Sequence, residues 1–363
     1  AGGTSAQGAG RVGAFLGITG VAVVALALGD AIATTVRVGR RGGPVTRLVS
    51  GLLWRGLSRL RVSRLRLFPL YVSGMAVTLS IIGLWIAATI FGWFLIFAST
   101  PGAILETATN RPADMASRLY YSGYTVFTLG IGDYRPGGTV WQTATWFAAG
   151  SGLLLVTLVI TYTIPLTTAV SQKRQLARLI SGLGSHAAEI VAKGWSGRNF
   201  SVLEGWLQSL TPLLARLAEH HLAYPMLHFF HTGDRDAAVG PAVAVLDETL
   251  LVLELAVDPD VRPSRLSLDP PRAAIEALLT TIPEVYVNTA SEPPPHPGLG
   301  LLEEHGIPCV PRSAVRDAFD EVVDERRRLL SLVHHEGWTW EAVDHLPEEA
   351  ERPEPPVLRR GGR

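Results

Sequence analysis

The stretch Tyr120–Tyr134, Y-Y-S-G-Y-T-V-F-T-L-G-I-G-D-Y, decides how the rest of this chain is read. Its centre is Thr128-Leu129-Gly130-Ile131-Gly132-Asp133. Glycines at alternate positions let a backbone pass through conformations that residues bearing a Cβ avoid. Such a strand can turn successive carbonyls to one side, and a ring of carbonyls from several chains can replace the water around a monovalent cation. Thr128 can add a hydroxyl oxygen at the inner end of that ladder. A lone G-x-G-D is common in turns, so the weight falls on its surroundings. An apolar segment precedes the stretch, a short helical segment leads into it and a second apolar segment follows.

With those surroundings the stretch resembles the selectivity filter of the potassium channel family, written T-x-G-[YF]-G-D. Leu119-Tyr120-Tyr121-Ser122 is similar to that family's pore-helix Leu-aromatic-aromatic-Ser, and Thr125 matches its pore-helix threonine. The resemblance implies ion ligands at the carbonyls of Thr128, Leu129, Gly130 and Ile131, with the Thr128 hydroxyl, and Gly132 completing the filter. Potassium is then the permeant ion, bound at Thr128, Leu129, Gly130 and Ile131, and no cofactor is implied. Asp133 is placed at the outer mouth, bonded to a pore-helix aromatic, here Tyr120. Two positions depart from the family. Ile131 replaces a Tyr or Phe and alters the packing behind the filter. Tyr124 stands where some bacterial members carry a buried glutamate. One chain supplies one filter strand, so the family implies a homotetramer about a four-fold axis.

Composition fits a membrane protein with a soluble part: 363 residues, 47% hydrophobic, with a positive mean hydropathy. The net charge of +0 hides a division. Before residue 171 the only acids are Asp30, Glu106, Asp114 and Asp133, and all other carboxylates follow. Cys309 is the only cysteine, so no intrachain disulfide can form, and it reads as a small apolar residue.

Along the chain, 1–36 reads as a disordered tail, Ala1–Gly10, and a first membrane helix over Gly13–Val36, long enough for the roughly 20 residues a crossing takes. Ala31-Ile32-Ala33 looks like a signal cleavage site, but cleavage would leave the following arginines outside the cell, against the positive-inside rule. Asp30 near the helix end either faces the interface, the reading favoured by its place within about two turns of the boundary, or is buried against a neighbour. Residues 37–68 carry Arg37, Arg40, Arg41, Arg47, Arg55, Arg59, Arg61, Arg64 and Arg66 with no acid, so they read as cytoplasmic. Leu53, Leu57 and Leu60 recur at helical spacing, as in an amphipathic helix on an anionic inner leaflet. The arginines keep no period of three, which argues against a voltage sensor. Residues 69–171 read as the pore domain. Leu70–Ala98 is its outer helix, opened by Pro69. Ser99–Asn110 is a loop, and Pro112 with Asp114 starts a pore helix running to about Thr125. Trp141–Thr168 is the inner helix. Gly152 falls where the family places its gating-hinge glycine, with close helix packing as the alternative role. Pro165 is expected to bend or break the helix below it.

Residues 172–345 read as a helical cytoplasmic domain. Apolar residues recur at helical spacing over Ser201–Leu222, Ala238–Val257, Pro271–Ile282 and Arg312–His335, with Ser313 a cap for the last. Glu284–Asn288 is at most a short strand. Arg326-Arg327-Arg328 reads as a solvated face. His220, His221, His228 and His231 cluster about Tyr224-Pro225, with metal binding or proton sensing set against plain packing. Residues 346–363 read as a disordered tail. The fold class expected is mainly α, a transmembrane helical pore domain with a helical C-terminal domain. The function expected is passive, potassium-selective conduction, gated through Gly152 or Pro165 in response to an unidentified ligand. A weakly selective cation pore, and a membrane-anchored sensor or scaffold with a vestigial pore, are the alternatives. No nucleophile–base pair or metal set points to an enzyme, and no nucleic-acid partner is expected.

Overall fold

Apolar runs of 20 or so residues satisfy their backbones without water only as helices, and the computed structural model follows that rule. It describes residues 3–36, 42–60, 68–281, 290 and 292–344. Helix α1 spans Gly3–Thr35, α2 Pro44–Leu60 and α3 Phe68–Ala98. Strand β1, Ile104–Glu106, precedes α4, Met115–Val126. Strand β2, Tyr134–Pro136, precedes α5, Thr139–Ser181. Among the described residues, Gly10–Thr35, Ser73–Ala98 and α5 are long and apolar enough to cross a membrane. Among the described residues the fold is mainly α, with three helices of membrane-crossing length.

The chain divides into two compact units, one of Ala1–Arg55 with Ala76–Pro165 and one of Gly56–Met75 with Leu166–Arg363. In the first, α1 lies against α3 at paired glycines. A Cβ on Gly20 would stand 2.6 Å from the Gly92 carbonyl, and one on Gly92 would meet Val24 at 2.7 Å. Small residues let two backbones approach this closely where no hydrophobic drive separates lipid from protein. The core gathers Trp93, Phe97, Ile104, Tyr121, Tyr124, Val126 and Ala148.

Several expectations need correction here. Helix α1 begins at Gly3, inside the segment read as a disordered tail. Asp30 is 3% exposed rather than interfacial. Its carboxylate accepts from the Val45 amide at 2.8 Å, the Thr46 amide at 3.1 Å, the Thr46 hydroxyl at 2.6 Å and the Trp85 indole at 2.9 Å. The first amides of a helix lack partners within it and favour negative charge, so Asp30 serves the start of α2 from another helix. In α2, Thr46 and Ser50 are buried and Arg47 is exposed, while Leu53 is half-buried. The side chains of Arg55, Leu57, Arg59 and Leu60, and all of Arg37, Arg40, Arg41, Arg61, Arg64 and Arg66, lie outside the described residues. Pro112 pairs with Leu105 ahead of α4 instead of opening it. Helix α5 runs unbroken through Pro165. Membrane helices absorb such a proline when neighbours satisfy the freed carbonyl.

In the second unit, α6 spans Ala187–Gly194, α7 Ser201–Ala223, α8 Val239–Leu251, α9 Arg265–Thr281, α10 Gly300–Glu304, α11 Arg312–Glu321, α12 Val323–His335 and α13 Glu341–Asp344. Leu203, Leu207, Leu210, Leu214 and Leu217 form the buried stripe of α7, as its period requires. Every residue of α8 is buried, and a π-helical turn, Val252–Ala256, extends it. Arg326 is not on a solvated face. It is fully buried, with 2.7 and 3.0 Å bonds to the Glu248 carboxylate and bonds to the Pro294 and Pro295 carbonyls. A guanidinium this deep needs a bidentate partner. Ser313 lies within α11, whose start has no side-chain cap. Glu284–Asn288 and 346–363 fall outside the described residues.

Candidate ion pathway

Helix α4 aims its C-terminus at the glycine-rich stretch. Asp114 caps its start, accepting from the Ser117 amide at 2.7 Å. The chain then leaves the helix at Phe127, held by the Phe127, Thr128 and Leu129 amides on the Gly123, Thr125 and Tyr124 carbonyls at 3.1, 2.9 and 2.9 Å. From there φ is +58° at Thr128, +60° at Gly130 and +89° at Gly132. Left-handed conformation at every second residue is the arrangement that aligns carbonyls, and glycine supplies it without steric cost. Thr128 supplies it against a steric cost of roughly 1–2 kcal/mol, so the bonds above are what hold it. The intervening side chains stand open in the single chain, Leu129 at 65% and Ile131 at 51% exposure, with Phe127 at 50%.

The wall behind is aromatic. Tyr121 and Tyr124 are buried, and the Tyr121 ring meets Phe97 edge-on at 5.3 Å. The Tyr121 and Thr145 hydroxyls lie 2.7 Å apart, the Trp93 indole donates to Ser151 at 2.9 Å, and the Tyr124 hydroxyl donates to the Tyr134 carbonyl at 3.2 Å. Thr125 is buried. Tyr120 is not bonded to Asp133. Its half-exposed ring packs edge-on against Tyr124 and Tyr134 at 5.1 and 6.2 Å, and Asp133 is exposed. The aromatic at residue 134, which the family pattern does not supply, draws Tyr120 away.

Two groups were not legible as support in the sequence. Arg118 is 5% exposed, and its guanidinium donates to the carbonyls of Ala113, Phe97, Ala98, Thr100 and Pro101 at 2.6 to 3.4 Å. The last carbonyls of α3 have no amide partners of their own, and this cation fills that need while fixing the start of α4. The other is Thr107, whose hydroxyl donates to the Gly132 carbonyl at 2.8 Å and whose amide donates to the Asp133 carbonyl at 2.9 Å. Strands β1 and β2 set this up, pairing antiparallel with Glu106 opposite Tyr134.

Gly152 of α5 touches the end of α4 so closely that a Cβ would overlap the Val126 carbonyl, whereas Gly150 has open space. Pro165 is the last residue of the first unit. In the second unit the foot of α5 is anchored by Lys173, 2.7 Å from Glu336 and 3.0 Å from the Phe230 carbonyl. The Ser73 hydroxyl of α3 donates to the neighbouring Phe229 carbonyl at 2.7 Å. The histidines divide differently from the expected cluster. The His221 and His228 rings, both buried, lie 4.9 Å apart and tilted by 52°, while His231 meets His335 edge-on at 5.4 Å. Burial first, then the nearby Lys173, lowers His221 to about 3, and burial with His221 lowers His228 well below the usual range. Among the described residues no group of histidine, cysteine and acid side chains is placed to hold a metal ion.

Residues 75–169 match the family described as Ion channel. The chain is 31% identical over 323 residues, 89% of its own length and 94% of the relative's, to the "Uncharacterized membrane protein YdjJ" of Bacillus subtilis (strain 168). No solved structure matches it. The chain belongs to one family with that bacterial membrane protein, over nearly the whole length of both, and its residues 75–169 form a domain that matches the ion channel family.

Proposed function

We propose that the protein is a potassium-selective channel that conducts K+ passively, without covalent chemistry, through a pore shared by four copies of the chain. The single observation that carries this is the alternation of left-handed backbone at Thr128, Gly130 and Gly132, because it frees the carbonyls of Thr128, Leu129, Gly130 and Ile131 to face a common axis. Leu129 and Ile131, exposed in one chain, would be covered by neighbours. The protein sits in the cell membrane with three crossings and its C-terminal domain in the cytoplasm, and the arginine-rich segment after α1 meets anionic lipid. The cytoplasmic helices bias α5 at Gly152 or Pro165 in response to a ligand. Purified protein in potassium-loaded liposomes tests the reading. Potassium flux that depends on Gly130–Asp133 supports it, and flux that survives their deletion overturns it. Ile131 favours a second reading, a weakly selective cation pore, since no ring stands there to stiffen the strand. An unshifted reversal potential between K+ and Na+ solutions would select that reading.

A further inference from the structure

Gly132 completes the stretch expected to form the filter, and its carbonyl already has a partner. Thr107 donates its hydroxyl to that oxygen at 2.8 Å and its amide to the Asp133 carbonyl at 2.9 Å. Thr107 stands one residue beyond β1, and Asp133 one residue before β2. The pair therefore continues the ladder Ile104–Pro136, Leu105–Arg135, Glu106–Tyr134. The turn bearing Thr107 is tied at every corner. The Asn110 amide donates to the Glu106 carbonyl at 2.9 Å, and Asn110 itself takes a left-handed φ of +58°. The Thr109 hydroxyl donates to the Glu106 carboxylate at 2.5 Å, and Arg135 donates to the Asn110 side chain at 2.6 Å. A hydroxyl mounted this way is held in place, and the lone pair that the Gly132 carbonyl directs at it is not offered to an ion.

We infer that Thr107 is a positioning residue for the proposed ion pathway: it takes the Gly132 carbonyl as a structural acceptor, ends the run of free ligand oxygens at Ile131, and so sets how sharply the outer mouth tells K+ from Na+. The inference rests on the channel reading for its functional half. The backbone needs such a latch here because two usual supports are absent. Ile131 gives no ring behind the strand, and Tyr120 is held by Tyr124 and Tyr134 rather than by Asp133. Gly132 takes a φ of +89°, and since a Cβ there would meet nothing, it is the left-handed backbone alone that favours glycine at the position whose carbonyl accepts from Thr107.

Thr107→Val keeps the shape of the side chain and removes the donor, while Thr107→Ser keeps the donor. Both are compared with the native chain, reconstituted at full length, by bi-ionic reversal potential and by amide hydrogen exchange over residues 104–111. The K+/Na+ permeability ratio of Thr107→Val is expected to fall about tenfold, the equivalent of one hydrogen bond. Thr107→Ser is expected to keep it. Exchange at the Thr107 amide rises in the valine variant and stays low in the serine variant. A valine variant with native selectivity and native exchange overturns the inference, as does a serine variant as damaged as the valine one. Exchange does not need conduction. A native chain that carries no flux, with exchange still faster in the valine variant, therefore sinks the channel reading and supports the latch.

Discussion

Gly150 and Gly152 sit two residues apart and answer to opposite constraints. A methyl at Gly152 overlaps the Val126 carbonyl, and a methyl at Gly150 meets nothing. Gly152→Ala is therefore expected to destabilise by roughly 1–3 kcal/mol, the usual cost of overpacking, while Gly150→Ala gains up to about 1 kcal/mol of helix propensity. Thermal unfolding of the two variants in detergent checks the contrast, and equal midpoints would refute it. Asp30 carries a sharper expectation. Asp30→Ala leaves buried donors at Val45, Thr46 and Trp85 without acceptors, each such loss costing about 1–3 kcal/mol. Trp85 fluorescence should shift in that variant. The left-handed backbone at Gly130 and Gly132 was legible in the sequence because its requirement is local, a residue without a Cβ, whereas at Thr128 it depends on bonds to the end of α4. Asp30 and Arg326 were misread because a charge in a string does not show its partners. The Trp85 indole lies 55 residues from Asp30, and the Glu248 carboxylate 78 from Arg326.

Among elements, α8 has acids buried in its middle, and their chemistry sets a pH dependence. Neither Asp247 oxygen has a hydrogen-bond partner, and burial, with Glu325 adding, raises its carboxyl to about 8. The folded chain thus keeps a proton that the unfolded chain has released above its ordinary value near 4. Stability from Asp247 is complete below pH 4 and is lost as pH rises through 8, at up to about 1.4 kcal/mol per unit. His221 runs the other way. Its folded value near 3 means that the folded chain refuses a proton the unfolded chain takes below 6.5, so acidification from pH 7 to 5 also destabilises. The midpoint of chemical unfolding should therefore peak in the weakly acidic range. Asp247→Asn is expected to flatten the alkaline side and His221→Gln the acid side; curves that keep both slopes would contradict the assignment. The helices α7 and α9 were legible from their apolar period, whereas the single helix expected over Arg312–His335 is two, α11 and α12, parted at Val322. Their ends were less so. Pro112, Pro165 and Ser313 each carry a local preference that the surrounding packing overrules: a strand bridge, an unbroken helix and an uncapped start.

At the level of the whole molecule, α5 belongs to both units, passing from one to the other after Pro165. Its foot is fixed by Lys173 and Glu336, whose side chains are 7% and 6% exposed. Breaking one side of a buried pair costs about 3–5 kcal/mol, while removing both costs much less. Lys173→Met is thus expected to loosen the second unit strongly, and Lys173→Met with Glu336→Gln to recover part of the loss. Limited proteolysis of the two variants measures the difference, and additive damage would exclude a coupled strut. The C-terminal half was legible as helical and no further, because its identity lies in pairings such as Arg326–Glu248 and Lys173–Glu336 that join distant stretches. Asp30 has a last consequence, for biogenesis. As the ribosome delivers α1 to the membrane, that carboxylate arrives before any of its donors, and Trp85 is still inside the exit tunnel or unmade. An unpartnered acid costs about 2.5–3.5 kcal/mol at the centre of an inserting helix on translocon scales, and less at Asp30, close to the end of α1. On the three-crossing topology, α1 is then expected to stay beside the insertion machinery until α3 emerges, so that the two leave for the lipid as a pair.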